Sequence, residues 1–185
     1  MNYTKLAGRI ARAAVYLFLL GPLLVVVFTA FSNTNRVVFP PKGFTLAWFQ
    51  KAVHSAEFTS SLLLSVRIAV VSVCIACVLG TMISLWFWKS NSRAKAVFES
   101  IFLAPIVIPT IISAVAFLQY FALFQGLFTN YWKLCLPYAV IEMPYVIRTV
   151  TANLVGLDTS FEEASLVLGA SPIRTLFNVT LPCIR

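Results

Sequence analysis

Charge is scarce in this chain. Of 185 residues only 11% are charged and just six are acidic, whereas 60% are apolar. Soluble domains commonly spend about 25% of their residues on charge, so a water-soluble globule is excluded and an integral membrane protein is expected. Histidine is nearly absent, with His54 alone on a polar stretch and no second ligand near it, which leaves no metal set. The four cysteines do not form a framework: Cys74 and Cys77 sit inside an apolar run, where cysteine acts as a small apolar side chain, and Cys135 and Cys183 are isolated. No nucleophile has a base at matched depth, so a membrane enzyme is not expected, and no cofactor is called for. There is no G-x-x-x-x-G-K-[ST] loop to cradle nucleotide phosphates and no internal repeat.

Long apolar runs are what the chain has in abundance. Crossing the hydrocarbon takes about 20 apolar residues at ~1.5 Å each. Residues 13–31 form one uncharged run. A second span covers about 62–88, uninterrupted from Ile68, and a third covers 101–124, where Pro105 and Pro109 remove backbone donors and predict a bent helix. A fourth, 134–154, is interrupted by Glu142 and Arg148. The fold class expected is an all-α polytopic helix bundle with about four spans, preceded by a polar segment 1–12 and followed by a cytoplasmic segment 156–185. The first span follows Lys5, Arg9 and Arg12 as a secretion signal would. Its apolar core is too long for one, and Phe28 occupies the place of a small cleavage-site residue, so it reads as a retained anchor.

The net charge of +8 belongs to this topology rather than to nucleic acid, which is not an expected partner. Alternating spans place Lys5, Arg9, Arg12, Lys89, Arg93, Lys95, Arg148, Arg174 and Arg185 on one side. Arg36, Lys42, Lys51 and Lys133 fall on the other, with Arg67 at the border. The richer side is expected to be cytoplasmic. Trp86 and Trp88 at one interface, and Tyr131 and Trp132 at the other, fit an aromatic belt around a lipid bilayer. The longest outer loop, 32–61, carries "FPPKGFTLAWF", in which Pro40 and Pro41 stiffen the backbone and Gly43 permits a turn.

The cytoplasmic stretch from Ser160 to Pro182 differs from everything before it. Ser160 and Glu163 have the spacing of a capping box, which predicts a helix start. Gly169 suits a left-handed helix stop, and Ser171 followed by Pro172 is a second start signal, with helix possible through Val179 until Leu181 and Pro182. The result is helix, glycine turn, helix. Its Leu166, Leu168, Ile173, Leu176 and Phe177 must either pack back on the membrane domain or enter a partner's groove, and spacing does not choose between these.

Glu163-Ala164-Ser165, three residues, Gly169, nine residues, then Val179-Thr180-Leu181-Pro182 resembles the EAA signature of ABC-transporter permease subunits. Ser165 replaces the second alanine and Val179 an isoleucine. The stretches "SSLLLSVRIAVVSV" and "LPYAVIEMPYVIRTVTANL" are similar to spermidine/putrescine-type permeases, so the likeness covers essentially the whole chain. It implies a type I importer fold in a bacterial cell inner membrane, with no enzyme activity of its own. The partners implied are cytoplasmic ATP-binding subunits, a second permease subunit and a periplasmic solute-binding protein. The loop would be a coupling helix, with Glu163, Ala164, Ser165, Leu168, Gly169, Ala170, Leu181 and Pro182 as its ATPase-coupling residues. ATP-driven rocking between outward-open and inward-open states would move a small solute. Family members continue past the Leu-Pro with further spans, so a chain ending at Arg185 is expected to be truncated and unable to transport alone.

Glu142 is the one acid expected deep in a span. A carboxylate there costs about 2.5–3.5 kcal/mol on insertion scales, so it should face a polar cavity, stay protonated, pair with Arg67, or bond a neighbouring helix near Pro144. On the first reading it is a solute-pathway acid suited to a cation. It would equally serve as the relay of a proton-coupled secondary transporter, the rival function, but such a carrier needs no cytoplasmic docking turn.

Overall fold

A computed structural model describes residues 3–36, 38 and 40–184. Arg185, counted among the cytoplasmic bases, Phe39 of the outer-loop motif, and Met1 and Asn2 of the N-terminal segment lie outside the described residues. Among the described residues the chain is all-α, as expected, with a single isolated bridge between Ser32 and Phe44. Two compact units divide it, residues 1–63 and 64–185.

In the first unit, helix α1 runs Tyr3–Ala30 and α2 runs Ala47–His54. Lys5, Arg9 and Arg12 continue directly into the apolar run, so the polar segment and the anchor are one helix. The outer loop between α1 and α2 is folded. Thr45 N–H donates to Phe31 O at 2.7 Å, Asn33 N–H to Gly43 O at 3.2 Å, and the Trp48 indole to Ser32 O at 3.0 Å. Gly43 serves by close approach rather than by an unusual turn conformation: a Cβ there would lie 2.6 Å from Asn33 Nδ2.

Helix α3 spans Ala56–Lys89, and the second unit adds α4 (Lys95–Val107), α5 (Thr110–Leu123) and α6 (Trp132–Val155). By length and composition α1 and α3 can cross a membrane, and α4 with α5 makes a third if the bent pair counts as one. α6 falls short of that apolarity, since it carries Lys133, Glu142 and Arg148. The single bent helix expected over 101–124 is instead two helices meeting at 106°. Pro105 sits inside α4 without breaking it. The break lies at Ile108, whose ψ of 127° is the extended conformation that a following proline imposes, and Pro109 then caps α5.

What holds α3 to α6 is a stripe of small residues. Ser72, Ala76, Gly80 and Ser84 recur every fourth position on α3 and are all buried. Ser72 Oγ donates to Cys135 O at 3.0 Å, and Ser84 Oγ donates to Ile147 O at 3.2 Å. The same offset at both contacts means that the two helices run parallel, in register. Gly80 permits a close approach, because a Cβ there would lie 2.9 Å from Val146 Cβ. Without a hydrophobic force between helices in lipid, small residues and interhelical hydroxyl bonds are the means of association that remain. At the far end Trp86 meets Phe98 edge-on at 5.5 Å and Phe87 meets Phe102 at 6.3 Å, packing the end of α3 on α4.

Candidate functional site

Helix α7 covers Ser160–Val167, followed by α8 (Pro172–Thr175), a π-helical turn (Leu176–Thr180) and α9 (Leu181–Cys183). The helix, turn, helix arrangement therefore forms, but its entry is not the capping box. Ser160 already lies within α7, and Thr159 before it is helical and makes no capping bond with its side chain. The Asp158 carboxylate, two residues upstream, takes the Ser160 N–H at 2.9 Å. An ionised acceptor makes the stronger bond, and this bond holds the Asp158 carboxyl below its ordinary pKa. Glu163 contributes only the ordinary helical bond from its N–H to Thr159 O at 3.1 Å.

The turn follows the sequence closely. Gly169 has φ +89°, its N–H bonds Leu166 O at 3.0 Å, and the Ala170 N–H bonds Ser165 O at 3.1 Å. That pair of bonds is a Schellman stop, which satisfies the last carbonyls of α7. Ser171 then caps α8 by accepting from Arg174 N–H at 3.4 Å, with Pro172 at the first helical position. Helix does not end at Leu181 and Pro182. One turn widens instead, with Leu181 N–H bonded back to Leu176 O, and the proline is carried inside α9. A wider turn relieves the clash that a proline ring makes with the carbonyl four residues earlier.

Hydroxyls and one acid close the motif on itself. Ser165, the departure from the signature's alanine, lies 2.9 Å by its Oγ from the Oγ1 of buried Thr175 and so joins α7 to α8. Thr180 Oγ1 donates to Glu162 Oε1, and Lys89 Nζ at the end of α3 lies 3.3 Å from Glu162 Oε2. The Glu162 side chain is 13% exposed and that of Lys89 57%, so the ion pair alone is screened and worth at most ~1 kcal/mol. Glu162 was not foreseen; a second acid beside the signature acid was its only trace in the sequence.

Of the remaining candidates, Glu163 and Ala164 are exposed, Leu168 is 88% exposed, Gly169 is exposed, Ala170 and Leu181 are half-buried and Pro182 is exposed. Leu166, Ile173 and Phe177 also point outward, whereas Leu176 is half-buried. Glu163 borders a shallow cavity of about 400 Å³ with Trp88, Lys89, Thr159, Glu162 and Leu166.

Glu142 stands apart from this loop. It is half-buried on α6 and makes no ion pair with Arg67 or any other described residue. An apolar cavity of about 910 Å³ opens between α5 and α6, and Ile141 lines it while Glu142 does not. Cys74, Cys77, Cys135 and Cys183 are all free thiols, and no group of His, Cys, Asp and Glu among the described residues could hold a metal. His54 Nδ1 lies 2.7 Å from Gln50 O within its own helix.

Residues 72–185, more than half of the chain, match the family described as binding-protein-dependent transport system inner membrane component. The chain belongs to that family. The chain is 27% identical over 168 residues to the spermidine/putrescine transport system permease protein PotC of Haemophilus influenzae, covering 91% of this chain and 65% of that protein. It is 26% identical over 179 residues to PotC of Escherichia coli, covering 95% and 67%. The putrescine transport system permease protein PotI of E. coli is 27% identical over 179 residues, covering 91% and 62%. The chain thus spans about two thirds of the length of these curated relatives. The family match takes in α6 and the whole helix, turn, helix motif.

Proposed function

We propose that this chain is the membrane-spanning subunit of an ATP-driven importer in a bacterial inner membrane, moving a small cationic solute of the polyamine class. The observation that carries the reading is the exposed apolar tip at Gly169. A turn that presents Val167 and Leu168 almost fully to the outside, yet is braced internally at Ser165 and Glu162, is built to be gripped by another protein. Its partners would be cytoplasmic ATP-binding subunits at this tip, a second permease subunit beside the bundle, and a periplasmic binding protein on the outer loops. Parallel α3 and α6 support a crossing by α6 as well, since they put Lys89 and the 156–184 segment at one end. A polyamine substrate is supported by the names of the relatives. A proton-coupled carrier is not favoured, because Glu142 has no charged partner to exchange a proton with and the family depends on a binding protein.

Single cysteines placed at positions from 163 to 169 test the reading in the assembled importer. Crosslinks to an ATP-binding subunit are expected, strongest at Leu168. Their absence at every position, in an assembly that still transports, would refute it.

A further inference from the structure

We infer that Glu162, rather than the neighbouring Glu163, is the positioning residue that fastens the coupling loop to α3, so that displacement of the loop is delivered to α3 and onward to α6. The inference rests on the permease reading above. Three segments meet in one carboxylate. Oε2 faces Lys89 at the last position of α3, Oε1 accepts from Thr180 in the widened turn, and the acid itself stands in the first turn of α7. Thr180 is completely buried, so this anchor is shielded from the solvent that screens Lys89. With both oxygens engaged, displacement of α7 draws on α3 and on the segment before α9.

The two ends of this link are themselves stiff. Ser165 and Thr175 make the helix, turn, helix move as a body, and the hydroxyl bonds of Ser72 and Ser84 tie α3 to α6 at two heights. Glu163 has none of this. It is exposed and only borders the cavity beside Trp88 and Lys89, with no ion pair to Lys89. A contiguous chain of packed and bonded groups is the physical requirement for carrying displacement from a docking surface into a bundle.

The test uses the complete importer in proteoliposomes, with two measurements: retention of ATP-binding subunits and solute uptake per ATP hydrolysed. Lys89→Glu places like charges together at an exposed position that does not threaten folding. Retention should be unchanged while uptake per ATP falls about twofold to thirtyfold, the range for residues along a coupling path. Glu162→Gln should fall less, since an amide oxygen can still accept from Thr180. Lys89→Arg, which keeps a cation opposite Glu162, should hold uptake per ATP near the parental value, which a role for Lys89 in packing alone would not predict. Unchanged uptake per ATP in Lys89→Glu, or a loss in Lys89→Arg as large as in Lys89→Glu, overturns the inference and leaves the permease reading standing. A wild-type chain that retains no ATP-binding subunit would overturn both.

Discussion

Glu162 and Glu163 are consecutive acids with opposite surroundings: the first lies 3.3 Å from Lys89 and is almost covered, and the second is exposed. Helical geometry accounts for the divergence, because successive residues on α7 point about 100° apart at 3.6 residues per turn. One acid therefore reaches Lys89 at the end of α3, while the other stays exposed at the rim of the cavity they share. A motif reading places weight on Glu163 because the signature begins there, whereas the contacts place the internal connection one residue earlier.

Gly169→Ala tests the turn. Nothing lies within 4 Å of a Cβ at this position, so the cost is purely of the backbone, whose φ is +89°. A left-handed conformation costs an L-residue about 1–2 kcal/mol. Faster amide hydrogen exchange is expected across 160–175, with unchanged exchange in α3. Gly169→Asn, which tolerates this region better, should show a smaller effect.

Gly80→Ala tests the seam. The added methyl would meet Val146 Cβ at 2.9 Å and Met143 O at 3.4 Å, so α3 and α6 must separate, because a new Val146 rotamer would leave its Cβ in place. Overpacking of this kind costs about 1–3 kcal/mol, which should appear as a lower melting temperature in detergent. Gly21→Ala, with nothing within 4 Å of its Cβ, is the matched control and should melt like the parent.

Asp158 gives the loop a defined acid response. Its folded pKa is depressed by the bond from Ser160 N–H, so its support for the start of α7 is complete above the ordinary carboxylate value. That support is lost as pH falls through the folded value, below about 3.9. Amide exchange at Ser160 corrected for intrinsic pH effects should rise in that window. Asp158→Asn, which can still accept the bond but cannot ionise, should remove the pH dependence.

Much of this loop could be read from the sequence because its signals are local. Gly169 and the Ser171-Pro172 pair each act through backbone conformation at their own position, and both behave as their residue types predict. Competition was harder to foresee. Ser160 offered a capping box, but Asp158 was a better acceptor two residues away and moved the helix start. Pro105 and Pro109 looked equivalent, yet only the extended residue before Pro109 breaks the helix. The partners of Glu162 come from α3 and from the turn before α9, and no spacing rule reaches that far. By contrast the stripe Ser72, Ala76, Gly80, Ser84 was present in the letters as a four-residue period of small side chains, hidden among equally apolar neighbours.

The parallel pairing of α3 with α6 imposes an order on biogenesis. Ser72 and Ser84 emerge from the ribosome 63 residues ahead of the carbonyls of Cys135 and Ile147 that receive their hydroxyls. At about 5–20 residues per second, the wait is roughly 3–13 s. Ser84 can spend that interval bonded to Gly80 O on its own helix, at 2.8 Å, while the folded chain gives Ser72 only Cys135 O. A nascent α3 therefore enters the membrane before either hydroxyl can reach its partner on α6, and its arrival beside α6 is a late event in the life of the newly made chain.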